Sequence, residues 1–326
     1  MSINGCVFCE GEFNGLSNEN LESSVDAFFL TLPNSEKGFT ETVKSIGQIY
    51  KYIETPGSKL SIARTYQDLQ KASKQDKKSL ILTFQEPYPI GNSLGNLHVF
   101  YQLGVRVVQL TYNKANFIGS GCTEYVDRGL TDFGKTLIKE MNRIGMLIDL
   151  SHCGHLTTLE AIQASEQPVI CSHANVQQLC SNPRNKTDEV VKMIAEKGGV
   201  IGLTPWGPLC WNDKTGLQPS LDDYLDHVEY VINLVGIEHV GFGSDDTLDG
   251  ATDEEGTIAQ AYLYPTVVAN YNERVGTDPK LRHAKGSKDI NNVINGLRNR
   301  GYSSNDIAQF LGGNFSRVIQ QVWKEV

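Results

Sequence analysis

Short β-rich runs alternate with longer amphipathic stretches along most of this chain, and that alternation narrows its fold more than any other feature. The runs cover residues 3–8, 25–30, 80–84, 105–111, 146–150, 168–172, 200–204 and 240–243. Helical periodicity separates most of them, best marked at 130–144, 156–165, 187–197 and 221–235. About eight such units predict an α/β fold closed as a (β/α)8 barrel, the TIM barrel. An open doubly wound sheet is the competing arrangement, but no GxGxxG follows the first run. The tail is less regular: residues 246–256 are acidic with two glycines and predict a loop over the barrel mouth, whereas 287–298, 304–310 and 316–324 predict helices. With no linker, repeat or low-complexity tract, residues 1–326 are expected to form one barrel domain with the C-terminal helices packed on it.

Two of the runs end alike. MLIDLSHCG and PVICSHAN each close an apolar segment with a Ser-His pair, putting His152 and His173 at matching strand ends 21 positions apart (173 − 152), long enough for one helix and a return. Parallel strands gather their C-terminal ends at one edge, so two imidazoles there read as metal ligands or acid/base groups. Zn²⁺ takes imidazole nitrogen at about 2.0–2.1 Å and needs at least one more ligand while leaving a position for water. Asp245, in HVGFGSDD, ends the last run and is placed to orient or deprotonate a water, or to ligate metal; Asp246 beside it is expected to point away. Arg184, in NPRNKTDE, lies 11 positions beyond His173 (184 − 173), and its fork of donors suits a carboxylate or an oxyanion.

The charge balance narrows the partners. A formal net charge of −9 argues against a nucleic-acid footprint or an anionic membrane surface, leaving small molecules as the expected partners. No apolar run approaches the length of a bilayer span, and MSINGCVFCEGEF lacks a basic region followed by an apolar core, so the expectation is a soluble, cytoplasmic protein. Seven cysteines, odd in number and mostly flanked by apolar residues, read as reduced thiols, with Cys6 and Cys9 forming the single CxxC.

GLTDFGKTLIKEMNRIGMLIDLSH, followed by PVICSHAN, PRNKTDE, GGVIGLT and HVGFGSD, resembles the membrane (renal) dipeptidase family of metallopeptidases in the amidohydrolase superfamily. The likeness runs from about residue 80 to residue 245. It implies a barrel of the metallo-dependent hydrolase type, with two zinc ions at its mouth, that hydrolyses dipeptides. Matched by motif, His152 and His173 are the two His ligands of one zinc, Arg184 binds the substrate carboxylate, and Asp245 handles the catalytic proton. Three positions depart from the family pattern. NGCVF puts Cys6 and Phe8 where the first strand's His and Asp would hold the other zinc. TFQEPYPIG puts Gln85, with Glu86 next to it, at the bridging Glu, and LTYNKAN puts Tyr112 where a His would lie near the scissile carbonyl, a place from which a phenol can still donate a hydrogen bond. Cys6, Cys9, Glu10 and Glu12 are the nearby replacement ligands, although both thiols also read as buried apolar residues.

These substitutions leave one Zn²⁺ as the expected cofactor, with two ions as the alternative. The leading reading is a metal-dependent hydrolase of dipeptides or related small amides: His152 and His173 hold the metal, with Gln85 or Glu86 completing the set, Asp245 and Tyr112 are catalytic, and Arg184 and Tyr112 contact a substrate with a free carboxylate. The alternatives are altered chemistry on the same barrel, in small-molecule tailoring, and an inactive homologue that binds carboxylates. A homodimer is one expectation for its assembly.

Overall fold

Among the described residues, ten parallel strands realise the predicted alternation: β1 (Ile3–Phe8), β2 (Ala27–Thr31), β3 (Leu60–Ile62), β4 (Lys78–Phe84), β5 (Val105–Gln109), β6 (Leu147–Asp149), β7 (Ile170–Cys171), β8 (Val200–Leu203), β9 (Val240–Phe242) and β10 (Asp246–Thr247). The computed structural model describes residues 1–9, 11–33, 35–212, 214–249, 254–268, 271 and 290–324. Eight strands match the predicted runs to within two residues at either end. The other two, β3 and β10, have three and two residues, too few for a period-2 pattern to declare itself.

The pairing order is β10-β1-β2-β4-β5-β6-β7-β8-β9, with β3 beside the start of β4. Closure is made by the last strand in two pieces. β9 pairs with β8; the chain then turns at residues 243–245 and resumes as β10, which pairs with β1 through Val7↔Asp246 and Phe8↔Thr247. The barrel is therefore shut between β1 and a bent final strand, and the bend leaves Asp245 at φ 54°, in the left-handed region that a side chain rarely adopts. The Asp245 amide donates to the Cys6 carbonyl at 3.0 Å across this seam. The acidic stretch expected as a loop is thus partly strand, and a helix begins within it at Glu254 and runs to Leu263, while residues 250–253 lie outside the described residues.

A second irregularity aims β1. Ile3 pairs with Ala27 and Val7 with Leu30, so four steps on β1 match three on β2. The extra residue is a β-bulge, which reverses the in/out alternation along the strand. Ile3 packs inside the barrel with Ala27 and Phe29, whereas Val7 packs outside with Phe28 and Leu30. Cys6 and Phe8 consequently face the interior at the C-terminal end.

The opposite end of the barrel is filled from the tail. Helix Asn314–Val322 presents Phe315, Val318, Ile319 and Val322 to Ile3, Ile81, Val107, Leu147, Ile170 and Val200, one inward residue from each of six strands. Gly202 and Gly243 allow tight approach here, since a Cβ at either would stand 2.1 Å from the Ser172 carbonyl oxygen. With this end plugged, the ends of the strands that carry His152, His173 and Asp245 are left for the cavity. The predicted final helix at 316–324 is shifted two residues earlier. The predicted helices 287–298 and 304–310 are observed as Ile290–Asn299 and Ser304–Ala308, residues 287–289 lying outside the described residues.

The surrounding helices are capped by their own flanking residues. Thr131 accepts from Gly134 at the start of Asp132–Ile144, which ends on left-handed Gly145, and Thr187 caps Asp188–Glu196. Leu137, Ile138, Met141 and Ile144 recur at helical spacing and form the buried face. Among the described residues no helix is long and apolar enough to cross a membrane.

Helix Leu221–Val235 buries His227, whose Nδ1 accepts from the Val176 amide at 3.3 Å. Burial lowers its pKa to about 3 against a mild opposing pull from Asp223. The folded state therefore resists taking a proton that the unfolded chain accepts near pH 6.5, so stability falls as pH drops from 6.5 toward 3. His227→Gln, which cannot protonate, is expected to recover on the order of 3–4 kcal/mol of that acid loss. Urea unfolding of both proteins at pH 7 and pH 4 measures it, and parallel pH dependences would remove His227 from the acid response.

Candidate active site

The two Ser-His tips are tied together by one buried carboxylate. Asp149, the last residue of β6, accepts through Oδ1 from the Ser151 amide (3.0 Å), the Ser151 hydroxyl (2.6 Å) and the Ser172 amide (3.0 Å), and through Oδ2 from the Ser172 hydroxyl. Ser151 Oγ in turn accepts from the His173 amide at 3.1 Å. The repeated Ser-His dipeptide is thus a matched pair of loops folded around Asp149.

These contacts settle which ring nitrogens carry protons. His152 Nδ1 lies 2.8 Å from the Asn113 amide oxygen, an acceptor, so Nδ1 donates. Ser172 spends its hydroxyl proton on Asp149, so its oxygen accepts from His173 Nδ1 at 2.7 Å. Both Nε2 atoms are then left with lone pairs, and they face each other at 2.9 Å. Burial, then the positive charge of Arg184, pushes both imidazoles well below the ordinary His pKa and keeps them neutral. Two buried acceptors pointed at one another want a cation between them, and the Nδ1 bonds supply the orientation that metal-ligating imidazoles need. The pair fits a metal ion.

Arg184 is 2% exposed. Its guanidinium donates to the Ser151 carbonyl and, at 3.1 Å, to the His173 carbonyl, clamping both loops from the cavity side. Two of its five donors are committed in this way. Asp245 faces the same space, and its carboxyl is pushed above its ordinary pKa by burial, with Arg184 opposing. Asp246 turns aside into the seam, its carboxylate accepting from the Thr247 amide at 2.9 Å.

Gln85 and Glu86 diverge as neighbours past a strand end do. Gln85 Nε2 donates to Cys6 Sγ at 2.9 Å, while the Glu86 carboxylate accepts from Asn116 Nδ2 at 3.3 Å and is pushed by burial to about 7. Cys6 also lies 3.4 Å from Asp245 Oδ1. Tyr112 stacks on His152 with ring centroids 4.2 Å apart, and its hydroxyl accepts from Gln260 Nε2 at 2.8 Å. Phe8, Trp206 and Tyr264 add apolar walls, and the resulting cavity of about 610 Å³ includes Gln85, Glu86, Tyr112, His152, Arg184 and Asp245 in its lining. That volume suits a small molecule. Cys9 packs in the apolar core, Glu12 is exposed and Glu10 lies outside the described residues.

A profile of the membrane dipeptidase family (peptidase family M19) matches residues 16–287. The chain belongs to the membrane dipeptidase family. It is a metal-dependent, dipeptidase-like hydrolase. Curated relatives in the membrane dipeptidase family include the dipeptidase verJ of Clonostachys rogersoniana, 27% identical over 286 residues that cover 87% of this chain and 71% of the relative. The dipeptidase tcpJ of Claviceps purpurea is 26% identical over 307 residues, covering 90% and 65%. The chain thus spans about two thirds of the length of these relatives. Among solved structures, an amidohydrolase from Pseudomonas aeruginosa superposes with a TM-score of 0.86 at 31% identity, covering 100% of this chain and 97% of that one. A metallopeptidase from Rhodobacter sphaeroides, liganded with a phosphinate mimic of the dipeptide L-Ala-D-Ala, shares the fold at a TM-score of 0.80 and 17% identity, with 99% of each chain covered.

Of the residues named from the sequence of this membrane dipeptidase family member, Gln85, Glu86, Tyr112, His152, Arg184 and Asp245 line the cavity and His173 lies buried behind His152; the residues that hold them were not named. Asn113 stands next to Tyr112, and Asp149 three positions before His152; the only signal for either was a polar residue at a strand end. Gln260, which reaches Tyr112 across 148 positions, had none.

Proposed function

We propose that this chain hydrolyses the amide bond of a dipeptide, or of a related small amide, that bears a free carboxylate, with one Zn²⁺ held by His152 and His173. The observation that carries the reading is the pair of Nε2 lone pairs at 2.9 Å, both fixed by Nδ1 donors, with His152 lining a cavity that Asp245 and Arg184 also line. When bound, the metal would polarise the scissile carbonyl and acidify an attacking water. Asp245, at the bent strand end, takes the water's proton and returns it to the leaving amine. Arg184 uses its remaining donors to hold the substrate carboxylate, which sets the amide over the histidines. Tyr112, kept as a neutral phenol by burial, hydrogen-bonds the developing oxyanion, and Gln260 orients its hydroxyl.

One ion rather than two is supported by the first strand and the bridging position, where Cys6, Phe8 and Gln85 offer no carboxylate. The same reading takes residues 1–326 as one domain acting in the cytoplasm on a small molecule, not on nucleic acid or a membrane, with a homodimer as the proposed assembly.

The test pairs metal content with turnover. Zinc-loaded protein is expected to hold one ion and to cleave dipeptides, whereas His173→Ala loses the ion and at least about 10³-fold in kcat/KM, the scale lost when transition-state stabilisation is removed. Zinc-loaded protein that cleaves no dipeptide, or turnover indifferent to a chelator, would overturn the reading. Turnover of another small molecule by metal-free protein would then favour altered chemistry on the same barrel.

A further inference from the structure

We infer that the Cys6 thiolate is the third protein ligand of the metal, completing a His152, His173, Cys6 set whose fourth position is left to water. The inference rests on the proposed metal-dependent reading of the site and adds to it a ligand of a different element.

Six of the seven cysteines are buried, and five of those, Cys9, Cys153, Cys171, Cys180 and Cys210, belong to apolar clusters. Cys6 belongs to none. It is 2% exposed, yet its sulfur lies among polar groups: 3.4 Å from Asp245 Oδ1, 2.9 Å from Gln85 Nε2, and within 4.8 Å of a ring nitrogen of His173. A thiol serving as core filler would sit among methyl groups. The bulge in β1 is what aims it inward, and such irregularities re-aim side chains beside active sites.

The distances suit a shared ion. With bonds of about 2.3 Å to sulfur and 2.0 Å to nitrogen, a tetrahedral zinc separates its sulfur and nitrogen ligands by about 3.5 Å and two nitrogens by about 3.3 Å. The histidine nitrogens, at 2.9 Å, open slightly to reach that spacing, and the sulfur, within 4.8 Å of a His173 nitrogen and of an Asp245 oxygen, approaches from the His173 side. One sulfur, two imidazoles and an open position is a workable catalytic zinc shell. The set also explains residue 85. With the Asp245 carboxylate already 3.4 Å from the sulfur, a second carboxylate there would add like charge, whereas the Gln85 amide donates a hydrogen bond to the sulfur and steadies its negative charge. On metal binding the S–H bond breaks and a sulfur–metal bond forms; the proton passes to Asp245, which already accepts from that sulfur, and leaves to solvent, with no change of oxidation state.

Cobalt reports the ligand element directly. Metal-stripped protein titrated with Co²⁺ under nitrogen is expected to show an intense near-ultraviolet thiolate-to-cobalt charge-transfer band beside the visible d–d bands, saturating at one ion per chain. Cys6→Ser should lose that band and bind Co²⁺ about tenfold more weakly or worse, the lower bound set by the loss of outer-shell partners, whereas Cys9→Ser and Cys122→Ser keep it. X-ray absorption of the zinc-loaded wild type needs no variant and should show one sulfur scatterer at about 2.3 Å. Visible bands without charge transfer, or zinc with only nitrogen and oxygen neighbours, would overturn the inference and leave the hydrolase reading standing. A band that survives in Cys6→Ser assigns the sulfur elsewhere and also overturns it. Failure to take up cobalt or zinc at all would overturn both.

Discussion

Replacing Asp149 with Ala is expected to destabilise the protein by about 3–5 kcal/mol and to weaken metal binding 10–100-fold, although Asp149 touches neither cavity nor metal. Its carboxylate takes hydrogen bonds from four donors on the two Ser-His tips. Without it those donors are stranded in a buried place, and Ser172 no longer has an acceptor that frees its oxygen for His173 Nδ1. The His173 ring can then turn or change tautomer, which takes the Nε2 lone pair off target. Asp149→Asn offers a graded control: one oxygen still accepts, but the amide nitrogen meets the Ser172 hydroxyl as a donor, so metal affinity should suffer more than stability. Chemical denaturation and competitive metal titration separate the two losses. An alanine variant with native metal affinity would show that the loops hold their shape without the carboxylate.

The second large effect concerns Arg184. Arg184→Lys is expected to raise KM for dipeptides roughly 10–100-fold, or about 1.4–2.7 kcal/mol, because a single ammonium cannot hold the two loop carbonyls and a carboxylate at once. The same substitution should have little effect on substrates whose C-terminal carboxylate is replaced by an amide, since these never use the missing donors. Steady-state kinetics on the acid and amide forms, with metal content measured alongside, distinguishes binding from scaffolding. Equal losses on both forms would assign Arg184 to holding the loops alone.

What the sequence showed and what it hid follow from the range of the forces involved. Eight strands were legible because each buries a run of apolar residues whose pattern is local, and the helices between them because their apolar residues recur at helical spacing. Histidines at matching strand ends needed only the rule that parallel strands finish at one edge. The bulge in β1 was not legible, because it exists only in the register between β1 and β2. The contact between Gln85 and Cys6 spans 79 positions and forms only once the barrel is curled. Read against the family pattern, Cys6 and Gln85 were two separate losses; side by side in the fold, donor facing sulfur, they are one arrangement. The proton positions on the two imidazoles depended on Asn113 and on Ser172 through Asp149, and no motif named those partners.

The bent final strand has a consequence for how the protein would fail. β10 holds β1 by two residue pairs, and Cys6 and Asp245 stand on opposite sides of that join, linked through a backbone amide and carbonyl. The chemistry therefore sits on a ladder of two residue pairs, and opening it would part base from sulfur while the plugged end stayed packed. Local opening draws on a much smaller free energy than global unfolding. Inactivation by heat or mild denaturant would then run ahead of the loss of helical signal, and an ion gripped from both sides of the join would act as its rivet.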